Sequence, residues 1–278
     1  MKKNIISIIQ IILSILFVFF TFSKIELNSL SKILKNSNLF LFTLSPITYL
    51  ISQLFSSERL RKLLMINGFK LSFIENGKLY LIGMFYNFYM PAGIGGDLYK
   101  TYLLKKMYSW EVKDTIKIVI QDRLIGLGVL LILLLFLENG LVTDLNYMIK
   151  IIISISSYFV GFYLVKFIFK DNKGFFKTFI LSFVVQFFQF LSIILIIYSL
   201  GITTNISQIL FFYVISSILS IFSFGGIGIR EFVFFSAASI LTVSEELSLS
   251  IGLLFTISAA ISSLPGLYLI IKKNQRVT

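Results

Sequence analysis

The sequence predicts an all-α integral membrane protein, with six full transmembrane spans plus two re-entrant broken hairpins in one polytopic domain over residues 1–278. Three observations predict it. Apolar residues make up 57% of the chain and mean hydropathy is +0.92. Several apolar runs reach the roughly 18–20 residues that cross a bilayer. Two short segments, Pro91–Asp97 and Gly225–Glu231, set helix-breaking glycines and charged residues inside apolar sequence.

Full spans are expected at 4–23, 38–56, 118–137, 147–169, 178–200 and 249–271. The first follows Lys2 and Lys3. Its apolar run, Ile5 to Phe22, is too long for a signal-peptide core and lacks a small-residue cleavage site, so it reads as a retained span. Residues 57–78 read as a basic cytoplasmic connection. There Leu60, Leu63 and Leu64 recur at helical spacing between Arg59, Arg61 and Lys62, the pattern of a segment lying on an anionic leaflet. Leu79 to Met90 gives roughly 18 Å of helix at 1.5 Å per residue, too short to cross. The stretch after the first break returns to Lys105 and Lys106, so 79–106 reads as a hairpin entering from inside. Residues 207–224 and 230–242 flank the second break, with Asn205, Glu245 and Glu246 at their outer ends, and read as a hairpin entering from outside. The pair then forms an inverted repeat with its site at the midplane. The alternative is that 207–224 simply crosses.

The net charge is +12. Most of it falls on loops that this topology places in the cytoplasm, leaving Lys24, Lys32, Lys35 and Lys150 outside. That is the positive-inside pattern rather than a nucleic-acid surface, and with the N-terminus inside it returns the C-terminus to the cytoplasm as well. Cysteine and histidine are absent. Disulfides, thiolate nucleophiles, imidazole catalysis and Cys/His metal sites are thereby excluded. No G-x-x-x-x-G-K-[ST] loop occurs, and no cofactor is expected.

Charges within apolar helices cost roughly 2.5–3.5 kcal/mol on insertion scales, so each is a candidate functional residue. Asp122 and Arg123 point about 100° apart on a helix and should each find a partner elsewhere, unless Arg123 reaches the headgroups instead. Arg230 and Glu231 follow Gly228 directly, and Asp97 takes the equivalent place after Gly96, where it is also a good N-cap. Half-helix starts offer free N–H groups and a positive dipole end, a receptor for an anion such as phosphate. Arg123, Arg230 and Lys100 can add charge-assisted hydrogen bonds, while Asp97, Asp122 and Glu231 orient those bases or meet an amine. Gln186 and Gln189 share one helix face and read as interhelical hydrogen-bonding residues. Asn87, Tyr86 and Tyr89 precede the first break and are candidates to line the same cavity.

Three ordered stretches resemble a known family: Asn87 to Lys100, Gln121 to Leu127, and Phe224 to Glu231. Together they are similar to the transmembrane flippase region of lysylphosphatidylglycerol synthases and to stand-alone flippase-like proteins. The shared pattern is N-x-x-x-P, G-G-D with a basic residue three on, D-R-x-x-G, and G-G-x-G-x-R-E. It includes Asn87, Pro91, Gly95, Gly96, Asp97, Lys100, Asp122, Arg123, Gly225, Gly226, Gly228, Arg230 and Glu231 as substrate-binding candidates. Lys100 stands where arginine is usual, which loosens any bidentate grip. Phe224 replaces a proline often found before the second break. The resemblance implies a lipid flippase acting on an anionic or aminoacylated phospholipid, or on a polyprenyl-phosphate-linked lipid. With the chain ending at Thr278, the aminoacyl-transferase domain of bifunctional relatives is not expected, nor is enzymatic activity. A membrane glycosyltransferase or its accessory subunit is the alternative, and a small-solute transporter the second. The partners expected are a membrane lipid, a second copy of the chain or an envelope-biosynthesis protein, and no nucleic acid.

Overall fold

The computed structural model describes residues 27–89, 95–137, 145–169, 173–223 and 225–274, with positions 15, 16, 19 and 23 nearer the N-terminus. The described residues form ten α-helices and no strand. In chain order they are α1 (Leu27–Asn36), α2 (Leu39–Ile66), α3 (Phe73–Tyr89), α4 (Gly95–Tyr108), α5 (Val112–Leu137), α6 (Tyr147–Phe169), α7 (Phe175–Ser199), α8 (Ile206–Leu219), α9 (Ile229–Leu241) and α10 (Glu245–Asn274). Five of these are long and apolar enough to cross a membrane: α2, α5, α6, α7 and α10. They overlap the five later spans expected from the sequence, with α2 running ten residues past the expected end at 56. The span expected at 4–23 lies almost wholly outside the described residues, as does Pro91.

One expectation is corrected. Residues 57–66 do not lie on a surface. The helix that starts after Asn38 runs unbroken for 28 residues to Ile66, about 42 Å. Leu60, Leu63 and Leu64 are core residues of it, each at most 2% exposed. Two of the local charges pair within the helix: Arg61 donates to both carboxylate oxygens of Glu58 at 2.7 and 2.8 Å.

The long helices pack through small polar residues. Between apolar helices in lipid there is little hydrophobic driving force, so close approach and hydrogen bonds hold the bundle. The α2–α7 contact is the most extensive among the described helices. There the Ser45 and Ser192 hydroxyls meet at 2.8 Å, and Ser45 also meets Ser258 of α10 at 3.0 Å. α3 crosses α10 so closely at Gly266 that a Cβ there would strike the Leu81 carbonyl. Gly266→Ala is therefore expected to lower the stability of the detergent-solubilised protein by about 1–3 kcal/mol through overpacking. The control is Gly128→Ala, at a position with open space around it, where the better helix former should be neutral or slightly stabilising. Thermal unfolding of the two variants side by side checks this.

Of the five shorter helices, α3, α4, α8 and α9 form two hairpins. Ser72 and Glu75 cap the start of α3, with the Ser72 N–H donating to Glu75 Oε2 at 2.9 Å and the Glu75 N–H to Ser72 Oγ at 3.2 Å. At the far end of α4, the Tyr108 hydroxyl donates back to Glu75 at 3.2 Å, so α3 and α4 leave from and return to one base. α8 and α9 do the same: Asn205 donates to the Leu241 carbonyl at 3.0 Å and to Thr242 at 2.9 Å. The two bases lie at opposite ends of α2. Its last residues lead into α3, and the Phe69 and Trp110 rings pack there at 4.7 Å. At its start, the Asn38 N–H donates to the Ser199 carbonyl at 2.8 Å, just ahead of α8. Each hairpin has its own apolar cluster: Leu60, Leu64, Leu103, Leu104 and Ile118 for the first, and Ile193, Ile197, Tyr213, Phe234 and Phe255 for the second. The hairpins point toward each other and meet. Gly225, at φ +60°, presses its backbone against Phe88 near the end of α3, where a Cβ would fall 2.8 Å from the Phe88 carbonyl oxygen.

Candidate functional site

Where the hairpins meet they enclose a cavity of about 550 Å³. α2 contributes Tyr49 and Gln53, α3 contributes Tyr80, Asn87 and Phe88, and α4 contributes Asp97, Lys100 and Thr101. From α5 come Ile120 and Arg123, from the second hairpin Ser220, Ser223, Gly225, Gly226 and Arg230, and from α10 Ala259 and Ser263.

The first hairpin positions its charges through a backbone contact. A Cβ at Gly96 would collide with the Gly83 carbonyl, and one at Gly83 would fall 2.6 Å from the Lys100 side chain. Gly96 is thus required for α3 and α4 to close, and a side chain at Gly83 would displace Lys100. Asn87 completes the junction: its side-chain oxygen accepts the Gly96 N–H at 2.9 Å. Gly95 is the first residue of α4. Asp97 then sits in the first turn and bridges two cations. Lys100 Nζ lies 2.7 Å from its Oδ1, and Arg123 Nη2 lies 2.7 Å from its Oδ2, with Arg123 Nε donating to Oδ2 at 2.9 Å. Lys100 also lies over the Tyr80 ring, 4.4 Å from its centroid. Asp97 and Lys100 are almost fully enclosed, whereas the Arg123 side chain is 53% exposed. Arg123 thus ties α5 to the first hairpin while keeping part of its guanidinium accessible.

Asp122 turns the other way, as its helical offset from Arg123 requires. It is gripped by Arg59 of α2, whose Nε and Nη2 reach its two oxygens at 2.7 and 3.0 Å. Arg59 Nη1 donates on to Ser182 of α7 at 2.8 Å. Gly126 makes the room: a Cβ there would lie 3.1 Å from Nη1. This clamp joins three helices and lies apart from the cavity lining. Sequence reasoning missed Arg59, because four charges between 58 and 62 hide one inward-facing guanidinium. Tyr49 and Gln53 were also missed; their i, i+4 spacing inside an apolar helix was the available signal.

In the second hairpin the chain turns through Gly225, Gly226 and Gly228, all at positive φ. Glu231 spends its carboxylate on its own half-helix, accepting the Gly228 N–H at 2.8 Å. Among the described residues Arg230 has no such partner. Its Nε and Nη1 are buried without a hydrogen bond, and its guanidinium rests 5.0 Å from the Phe255 ring centroid. Gln189 accepts from the Tyr213 hydroxyl at 2.8 Å, an interhelical bond of the kind expected for it.

The family described as lysylphosphatidylglycerol synthase TM region matches residues 7–165. The chain belongs to that family. The matched part of this family member runs into α6 and includes the first hairpin with Asn87, Asp97 and Lys100, and the adjacent residues Asp122 and Arg123. The second hairpin lies beyond it. No curated protein and no solved structure matches the chain.

Proposed function

We propose that this multi-pass membrane protein is a lipid flippase of a prokaryotic plasma membrane, with cytoplasmic termini. It would move an anionic or aminoacylated phospholipid, or a polyprenyl-phosphate-linked lipid. The observation that carries the reading is the meeting of two broken hairpins, based at opposite ends of the bundle, around one charged cavity. In a bilayer, broken backbone is tolerated where it lines such a cavity. Both hairpins are then re-entrant. A headgroup enters the cavity while its tail stays in lipid, and alternating access comes from rocking one hairpin against the other. The reading assigns no bond-making step to the cavity, and membership in a lipid-handling family supports it.

The test is reconstitution in vesicles with headgroup-labelled lipids of several classes. Wild-type protein is expected to equilibrate at least one class between leaflets. Arg123→Gln keeps Asp97 paired with Lys100 but removes the accessible guanidinium, and should slow movement by about tenfold, the equivalent of one lost charge-assisted hydrogen bond. Unaltered movement in Arg123→Gln would remove the cavity from the pathway. Sugar transfer from a polyprenyl-phosphate donor without lipid movement would instead assign the glycosyltransferase reading.

A further inference from the structure

We infer that the cavity selects a headgroup carrying two negative charges on phosphate, a terminal phosphomonoester or a diphosphate, over zwitterionic and amine-bearing headgroups. The inference rests on the lipid-handling reading for the source of the anion, though the charge arrangement itself does not depend on it. Among the described lining residues three are cationic, Lys100, Arg123 and Arg230, and one is acidic, Asp97. The neighbouring carboxylates are committed elsewhere, Asp122 to Arg59 and Glu231 to the Gly228 N–H. The lining therefore carries two positive charges in excess. An ammonium headgroup needs a free carboxylate, and Asp97 already holds a cation at 2.7 Å on each oxygen.

Arg230 is the receptor. A buried guanidinium with unmet donors is costly unless something satisfies it. Its residue is 9% exposed, its Nε and Nη1 lack a hydrogen-bond acceptor among the described residues, and it borders the cavity. The Phe255 face beneath it and the Gly226 backbone beside it, where a Cβ would fall 2.7 Å from Cζ, hold the plane in place. A planar fork held this way matches two oxygens of one phosphate. The exposed part of Arg123, on the opposite hairpin's side, is placed for the second charge.

The experiment is lipid binding to the full chain in nanodiscs, using fluorescent lipids with identical acyl chains. Phosphatidic acid should bind at least about tenfold more tightly than phosphatidylglycerol, phosphatidylcholine or lysylphosphatidylglycerol, since one extra charge beside excess positive charge outweighs that factor at an effective dielectric near 20. Arg230→Gln should abolish the preference. With no lipid added, that variant should unfold at the same temperature as wild type or higher, because it loses an unpaired cation. Equal or tighter binding of phosphatidylcholine or lysylphosphatidylglycerol by wild type overturns the inference, as does a preference that survives Arg230→Gln. Sodium pyrophosphate and inorganic phosphate, added as competitors at fixed ionic strength, distinguish the sources. Pyrophosphate binding as tightly as phosphatidic acid keeps the dianion site and removes the lipid reading. Movement of all four lipids at equal rates keeps the lipid reading and removes the dianion site.

Discussion

Asp122→Asn is expected to destabilise the protein by about 3–5 kcal/mol, the effect of stripping the partner from a buried charge. The side chains of Arg59 and Asp122 are 7% and 8% exposed, and the guanidinium is held at three points by two helices other than its own. The amide retains the shape and one acceptor but leaves a full positive charge in the interior. A fall in detergent-solubilised melting temperature, with reduced membrane yield, is the measurement. The double variant Arg59→Met/Asp122→Leu should recover most of the loss, since an apolar pair of similar volume often equals a buried ion pair. If Asp122→Asn melts with wild type, the clamp contributes nothing and the three helices are held by packing alone.

Asp97→Asn should act as strongly, through two cations rather than one. Asp97 separates Lys100 from Arg123, and Lys100 is 5% exposed at its side chain. With the carboxylate gone, the ammonium retains the Tyr80 ring and little else, beside a second positive group. A loss of about 3–5 kcal/mol follows, in the range for breaking a buried pair. Adding Lys100→Met to Asp97→Asn removes the stranded ammonium and should restore much of the melting temperature. Failure of that rescue would mean that Asp97 acts through the α4 N-terminus rather than through Lys100.

The spans were legible because an uninterrupted apolar run has one solution in lipid: 147–169 was bounded to the residue. The breaks were legible because Gly-Gly-Asp and Gly-Gly-Ile-Gly have no place in a continuous apolar helix. What the sequence withheld was which charges meet. Asp97 and Lys100 stand three apart on one helix, a spacing visible in the chain. Arg59 and Asp122 are 63 positions apart, and nothing local reveals that one turn of a charged stretch faces inward. The same limit hid the continuation of α2, where the polar residues of 57–62 outweigh in composition what Leu60, Leu63 and Leu64 contribute by their spacing. Arg230 and Lys100 look alike as isolated cations beside a break. Only the fold shows one neutralised and the other left open.

The junction of the two hairpins is main chain against main chain, Gly225 on the carbonyl of Phe88. A contact made this way owes almost nothing to side-chain identity. The walls around it can be rewritten for a different guest while the scaffold keeps its shape, whereas a side chain at position 225 would disturb both at once.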